Sequence, residues 1–177
     1  MTAQDIAAAM RRVEGILQRR PDVGMHAEAP ASARWEGGTR IVASHANGKE
    51  MATDMPSELG GSGNEVTPGW LFRAGFASCA ATCIAMGAAA QGIELASLEV
   101  VAKSRSDLRG LLGMTDTDGA RVNAGPRDVE LVVRIAAAGV PPERLRALVQ
   151  ESYRCSPISN AVASGVPVAL SIEIDSE

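Results

Sequence analysis

The chain has 177 residues, of which 46% are hydrophobic, and its 17 basic and 21 acidic residues give a formal net charge of −4 at pH 7. This size suits one domain with its own core, and the acidic balance argues against a nucleic-acid partner or an anionic membrane surface. Three cysteines without a signal-peptide pattern argue against a secreted disulfide scaffold and predict a reducing, cytoplasmic location.

The first predicted element is an amphipathic helix over residues 5–20, which Pro21 ends. A linker containing proline and alanine follows it. Residues 1–30 are therefore predicted to be a helix and linker outside the main domain, which takes residues 31–177. The linker would let the helix pack on its own domain or on a partner subunit, and an ordinary surface helix is the simplest interpretation. Its apolar positions recur every three or four residues: Ile6, Met10, Val13 and Leu17.

Three antiparallel strands are predicted after the linker, because short alternating segments are separated by turn signals. The segments are ASARWEG, TRIVASH and KEMATDM, and Asn47-Gly48 is a strong two-residue hairpin signal. The next segment, PSELGGSGNEVTPG, is predicted to be a long surface loop that leads into the central helix.

The central helix is predicted from an uncharged stretch, AGFASCAATCIAMGAAA, at residues 74–90. Thr67 is a suitable N-cap, Pro68 suits the first turn and Gly92 ends the helix. The stretch is just shorter than a usual membrane span and consists mainly of small residues. We therefore interpret it as a helix buried in protein, with no membrane partner.

The second half of the chain predicts two strands, a helix and a final strand. The strands are LASLEVVAKSRSD and VELVVRIAAAG, the helix is PPERLRALVQESYRC, and a short turn at SPISNAVASG precedes the final strand VPVALSIEI. This order of elements predicts an α+β arrangement in which helices pack on an antiparallel sheet.

The cysteines are the main candidates for chemistry. Cys79 and Cys83 are four residues apart and face the same side of the predicted helix, among apolar residues. Burial statistics favour structural cysteines, whereas a reactive Cys79 needs a cation from another segment. Arg40 on the second strand and Arg154, beside the third cysteine, are the candidate cations.

Metal and cofactor sites are not predicted. The two cysteines of the central helix lack the spacing of structural zinc ligands, and the only histidines, His26 and His45, stand in unrelated contexts. The run GGSG at residues 60–63 lacks the lysine of a phosphate-binding loop and is interpreted as a flexible turn.

Two regions resemble the OsmC/Ohr family, the osmotically inducible and organic-hydroperoxide-resistance proteins. The run DMPSELGGSGNEVTPGWLFRAGFASC resembles the family signature, and SDLRGLLG followed by a long strand, CSPISNAV and a terminal strand resembles its second cysteine region. The resemblance spans about Ala31 to Ile174. It implies an OsmC-like α+β fold with antiparallel sheets packed on a long central helix, in an intertwined homodimer with active sites at the dimer interface.

The resemblance also implies an activity, a thiol-dependent peroxidase that reduces organic hydroperoxides to alcohols in oxidative stress defence. On this basis Cys79 is the peroxidatic cysteine, which forms a sulfenic acid, and Cys155 is the candidate resolving cysteine. Arg40 is the first candidate to stabilise the thiolate, and Arg34 is the second. An external dithiol, such as a protein-bound lipoyl group, would then reduce the oxidised enzyme.

One departure from the family pattern concerns the carboxylate that holds the arginine. The peroxidases often carry a glutamate directly after the helix-initiating proline, where this chain has Gly69. Glu65 or Glu58, on the preceding loop, is the expected substitute.

A second departure concerns the resolving thiol. Ser156 stands immediately before the proline, where the peroxidases usually have the cysteine, and Cys155 lies one residue earlier. On a helix end this shift rotates the side chain by about 100°. Cys83 is another candidate to resolve Cys79, but an i,i+4 disulfide within a helix is strained, so packing is the favoured role for Cys83.

An apolar substrate pocket is predicted along the central helix, suited to bulky organic hydroperoxides. The alternative hypothesis is an OsmC-like binding domain that holds a small apolar or thiol ligand at the dimer interface and turns over no peroxide. The two departures favour that alternative, whereas Cys79 and Arg40 favour the peroxidase, which is our main hypothesis. The residues predicted to line the pocket are Leu71, Phe72, Phe76 and Met86.

Overall fold

A computed structural model describes residues 2–174. It has an α+β architecture, which confirms the predicted fold class. Two single turns of 3-10 helix, Pro21–Gly24 and Ser57–Leu59, lie between the main elements. In chain order these elements are helix α1 (Ala3–Arg19), strands β1 (Ala31–Gly37), β2 (Arg40–His45) and β3 (Glu50–Thr53), helix α2 (Pro68–Ala90), strand β4 (Ser97–Arg105), helix α3 (Leu108–Leu111), strand β5 (Arg127–Ala136), and helices α4 (Pro142–Arg154) and α5 (Pro157–Ser164).

The strands form two antiparallel sheets. One has the order β1-β2-β3, with Val42 opposite Arg34 on one side and Ala52 on the other. The predicted hairpin between β2 and β3 is confirmed, and Gly48 has the positive φ of 82° that this turn requires. The second sheet pairs β4 with β5, and Val100 lies opposite Val133.

Helix α2 begins and ends as predicted. The hydroxyl of Thr67 accepts a hydrogen bond from the backbone N–H of Trp70, and Pro68 occupies the first helical position. Such an N-cap contributes about 1 kcal/mol to helix stability. Gly92, with a φ of 66°, follows the last turn. The capping residues therefore place the start of the helix eleven residues before Cys79.

Helix α2 is the central element of the chain and contacts α1, β4, α4 and α5. The backbone of α2 approaches α4 closely at Gly87, where an added Cβ would lie 2.5 Å from Ser152 Oγ. Helix α2 is also long and apolar enough to cross a membrane, but core helices of soluble proteins meet the same criteria of length and composition. It contacts four other elements, but only 22% of its most apolar stretch is buried in the single chain, less than the sequence predicts for a helix buried in protein. Ala88, Ile93, Leu145 and Leu148 form the buried cluster.

Helix α1 confirms the helix predicted near the start of the chain. Thr2 and Asp5 form a capping box, in which each side chain accepts a hydrogen bond from the backbone N–H of the other. The helix packs against α2 of its own chain.

Two predictions about the last part of the chain were wrong. The segment SPISNAVASG is not a turn: Pro157–Ser164 is helix α5, with Ser156 as its N-cap. The final strand predicted over residues 166–174 is absent from the single chain, because no strand of residues 2–174 lies beside this segment to accept its backbone hydrogen bonds. Its alternating apolar residues, Val166, Val168, Leu170, Ile172 and Ile174, are between 63% and 88% exposed.

Candidate active site

Cys79 lies on α2 and contacts the start of α5. Its side chain is half-buried, and its sulfur accepts a hydrogen bond from Ser156 Oγ at 3.3 Å. Ser156 is completely buried, with 0% exposure. The serine therefore occupies the position next to the sulfur that a resolving thiol would need.

Cys83 lies one helical turn further along α2, and its thiol donates a weak hydrogen bond to the carbonyl oxygen of Cys155 at 3.9 Å. Burial raises the pKa of Cys83, and the neighbouring Cys79 and Cys155 raise it further. A thiol with a raised pKa stays protonated and is a poor nucleophile, so these contacts support the predicted packing role of Cys83.

Cys155 is exposed at the end of α4, and like the other two cysteines it is a free thiol. The structure thus brings all three cysteines to one region. The backbone carbonyl of Cys155 contacts Cys83 of α2, whereas the side chain of Ser156 contacts Cys79. The one-residue shift noted in the sequence therefore changes which side chain touches the candidate nucleophile.

Arg40 begins β2 and is held by two carboxylates. Its Nη1 donates to Glu65 at 2.7 Å, and its Nε donates to Glu36 at 3.2 Å. Both contacts raise the pKa of Arg40 and keep the guanidinium charged. Arg34, the second candidate, donates to the other oxygen of Glu36 at 2.8 Å. Glu65 thus supplies the contact expected of the missing glutamate.

The remaining charged candidates lie elsewhere. Glu58 accepts a hydrogen bond from Ser57 Oγ at 3.2 Å and has none with Arg40. Arg154 lines a cavity of about 630 Å³ between α2, α4 and β5. Within residues 2–174, no hydrogen bond joins Arg40 to Cys79.

The loop that carries Glu65 is organised by Asp54, which the sequence analysis missed. Asp54 is 5% exposed, and its carboxylate accepts hydrogen bonds from the Ser62 hydroxyl at 2.6 Å, the Ser62 N–H at 2.9 Å and the Thr39 hydroxyl at 2.5 Å. These contacts hold the pKa of Asp54 well below its usual range. The signal was present in the sequence, because an aspartate between a strand and a glycine-rich loop commonly binds the loop backbone.

Gly61 explains why this loop is rich in glycine. A Cβ at position 61 would lie 1.8 Å from the carbonyl oxygen of Met55, so only glycine fits without moving the backbone. The loop returns to the sheet where the N–H of Asp54 donates to the carbonyl of Val66 at 3.0 Å. These constraints fix the position from which Glu65 reaches Arg40.

An apolar groove of about 430 Å³ runs between the three-stranded sheet and the first turns of α2. Leu71 and Phe72 line it, as predicted for a substrate pocket, together with Ile41 on the sheet side and Ile158 from α5. Cys79 lies on the same helix face as Phe72, two turns further along.

The other two predicted pocket residues are not in this groove. Phe76 is 3% exposed and lines the 630 Å³ cavity between α2, α4 and β5, although its ring centroid lies 6.3 Å from that of Phe72. Met86 lies beside α1. The prediction of one pocket lined by all four residues was therefore wrong for the single chain, because different elements pack against α2 at different heights along its axis. Among residues 2–174, no group of three or more histidine, cysteine or acidic residues could hold a metal ion.

The family model for OsmC-like proteins matches residues 61–171. An organic hydroperoxide resistance protein of Xanthomonas axonopodis pv. citri is 30% identical over 118 residues, which cover 66% of this chain and 74% of that protein. The crystal structure of an organic hydroperoxide resistance protein OsmC from Legionella pneumophila is 26% identical, with a TM-score of 0.54 and coverage of 84% of this chain and 100% of that chain.

A further solved structure supports the fold. The OsmC-like protein of Mycoplasma pneumoniae is only 15% identical but has a TM-score of 0.65, covering 80% of this chain and 91% of that chain. Together with the family model, these similarities show that the chain belongs to the OsmC-like family.

Proposed function

We propose that this protein is a thiol-dependent peroxidase that reduces organic hydroperoxides to alcohols and protects the cell against oxidative stress. The observation that carries the proposal is Cys79, a free and half-buried thiol that accepts a hydrogen bond from the buried Ser156, in a chain similar to organic hydroperoxide resistance proteins. The paired Arg40 and Glu65 support it, because they join a cation of the kind that stabilises a thiolate to the loop that leads into α2.

In the proposed reaction, the Cys79 thiolate attacks the distal oxygen of the hydroperoxide, and the O–O bond breaks. The alcohol leaves after its oxygen takes up a proton, and Cys79 becomes a sulfenic acid. A second thiol then attacks the sulfenic sulfur, releases water and forms a disulfide. An external dithiol, such as a protein-bound lipoyl group, is oxidised to its own disulfide as it restores the Cys79 thiol.

The proposed roles follow the contacts of each residue. Arg40, from the same chain or its partner, stabilises the thiolate, and Glu65 orients Arg40. Cys155 remains a candidate resolving cysteine, but the side chain that contacts the Cys79 sulfur is that of Ser156, which favours resolution by the external dithiol. The apolar groove lined by Leu71 and Phe72 favours bulky alkyl hydroperoxides over hydrogen peroxide.

We further propose that the active form is a homodimer in the cytoplasm. Only 22% of the most apolar stretch of α2 is buried in the single chain, which leaves apolar surface for a second copy to cover. The alternating apolar residues of segment 166–174 need a neighbouring strand, and a partner chain would supply one. Three free thiols suit a reducing compartment.

Stopped-flow mixing of the reduced protein with cumene hydroperoxide, followed by mass spectrometry of the thiols, tests the proposed reaction. We expect fast peroxide consumption with oxidation at Cys79, and loss of this reaction in Cys79→Ser. Cys83→Ser is the matched control, because it changes a thiol on the same helix, and it should keep the fast reaction. Consumption no faster than that of a free thiol would refute the peroxidase.

The second candidate function is a binding domain for a small apolar or thiol ligand. The observation that favours it is Ser156, since a hydroxyl rather than a thiol contacts Cys79. The same measurement separates the two functions, because a binding domain would consume no peroxide while a fluorescent apolar probe would still bind in the groove beside Leu71 and Phe72.

A further inference from the structure

Ser156 makes two hydrogen bonds that use different parts of its hydroxyl. As the N-cap of α5, its Oγ accepts from the backbone N–H of Ser159 at 3.4 Å. Its hydroxyl donates to Cys79 Sγ at 3.3 Å. The same hydroxyl also lies near Cys83, whose pKa it lowers against the larger effect of burial, so the tests below remove Cys83. Capping a helix requires only the oxygen as an acceptor, so the donated hydrogen bond to sulfur is additional to the structural role.

The surroundings of Ser156 make this donated hydrogen bond important. Ser156 is 0% exposed, so no bulk water reaches its hydroxyl to take the hydrogen instead. The hydroxyl also lies at the N-terminal end of an eight-residue helix, where the helix dipole favours negative charge nearby. A hydrogen bond to an ionised sulfur at this position is stronger than one to a neutral thiol.

We propose that Ser156 is a catalytic residue of this site, donating a hydrogen bond that stabilises the Cys79 thiolate and then the sulfenate that replaces it. The inference rests on the proposed peroxidase for its second part, because only a peroxide reaction forms the sulfenate. The first part, stabilisation of the thiolate, holds with or without peroxide. Ser156 therefore stabilises Cys79 from the position at which a resolving cysteine would stand.

The first test measures Cys79 alone, without peroxide. In a chain carrying Cys83→Ala and Cys155→Ala, the rate of alkylation by monobromobimane is followed from pH 5 to pH 10. Ser156→Ala should move the pH of half-maximal rate upward by about one unit, a tenfold loss of thiolate, as expected for a hydrogen bond to a charged group. Circular dichroism and thermal unfolding show whether each variant is folded.

Ser159→Ala is the matched control. Ser159 is also a buried serine of α5, 2% exposed, and its hydroxyl has no hydrogen-bond partner among residues 2–174. Its backbone N–H, which binds Ser156, is kept in the variant. We expect its alkylation profile to match that of the parent chain. Equal profiles for all three folded proteins would overturn the proposal.

The second test probes the contact itself and does not depend on the alanine variant folding. In the same background, Ser156→Cys should form a disulfide with Cys79 when treated with diamide, which takes up two hydrogens from the two thiols. The matched chain keeps Ser156 and Cys155 and lacks only Cys83, and it should form a disulfide much more slowly. Slow oxidation of the Ser156→Cys variant would show that position 156 does not face Cys79 and would overturn the proposal.

The outcomes separate this inference from the proposed function. If cumene hydroperoxide reacts slowly but Ser156→Ala still shifts the alkylation profile, the peroxidase fails and the stabilised thiolate remains. If peroxide reacts fast and the profile does not move, the peroxidase remains and the role of Ser156 is refuted.

Discussion

At the residue scale, Arg40 depends on a carboxylate that comes from a loop. Glu65 makes a charge-assisted hydrogen bond of 2.7 Å to Arg40, although both side chains remain partly exposed. A loop residue can hold an arginine only as firmly as the loop itself is held. Here the hydrogen bonds of Asp54 and the close approach at Gly61 fix the loop on the sheet.

Glu65→Gln should slow the reaction of Cys79 with cumene hydroperoxide by roughly tenfold, because a misdirected arginine no longer stabilises the thiolate in the reacting geometry. Stopped-flow kinetics measure the rate. Glu58→Gln is the control on the same loop, since Glu58 has no hydrogen bond with Arg40. Equal rates for both variants would show that Glu65 does not orient the arginine.

Cys155→Ser should change the rate of peroxide turnover with an excess of an external dithiol by less than about twofold, because the side chain hydrogen-bonded to the Cys79 sulfur is that of Ser156 and a disulfide needs converging side chains. Turnover with dihydrolipoamide is measured by loss of peroxide. A large loss in this variant, together with a disulfide to Cys79 in the parent chain, would assign resolution to Cys155.

At the scale of elements, the loop between β3 and α2 carries Glu65 and is held by Asp54, so its stability should depend on pH. The hydrogen bonds from Ser62 and Thr39 lower the pKa of Asp54 in the folded protein. Ionised Asp54 therefore stabilises the fold at every pH above its unfolded value of about 3.9, and this contribution is lost as the pH falls toward the lower folded value.

We expect no change in thermal stability from this residue between pH 7 and pH 5, and a decline below about pH 4. Asp54→Asn should lower the melting temperature at pH 7, because a neutral amide accepts these hydrogen bonds more weakly, and the difference from the parent should shrink in acid. Asp118→Asn, on an exposed turn, is the control. A difference that stays constant from pH 7 to pH 3 would contradict the assigned role.

At the scale of the whole molecule, the single chain leaves apolar surface uncovered in two places, along α2 and along residues 166–174. An isolated strand cannot satisfy its backbone hydrogen bonds, and an exposed apolar face promotes association. The dimer is therefore the proposal that accounts for both features.

Light scattering at micromolar concentration should give the mass of two chains. A chain that ends at Gly165 should be mainly monomeric and less stable, because it lacks the segment that we expect to pair with the partner. Replacing the exposed Met25, which lies in the linker, by serine is the control and should leave the dimer intact. A monomeric full chain would contradict the proposal.

The sequence by itself determined the elements whose signals are local. Thr67 and Pro68 at the start of α2, Asn47-Gly48 in the hairpin and Pro21 after α1 act through the conformation of neighbouring residues, so they could be interpreted without a structure. The final strand could not, because a strand depends on a neighbour that the sequence does not name. Helix α5 had a local signal, Ser156 followed by Pro157, that was interpreted as a turn.

The tertiary structure decided which residues meet. It paired Arg40 with Glu65 across twenty-five positions and placed Ser156 against Cys79 across seventy-seven. It also separated Phe76 and Met86 from the groove beside Leu71 and Phe72. Periodicity gives the face of one helix but not what packs against it, so the sequence identified Cys79 as the candidate nucleophile, and only packing identified the groups around it.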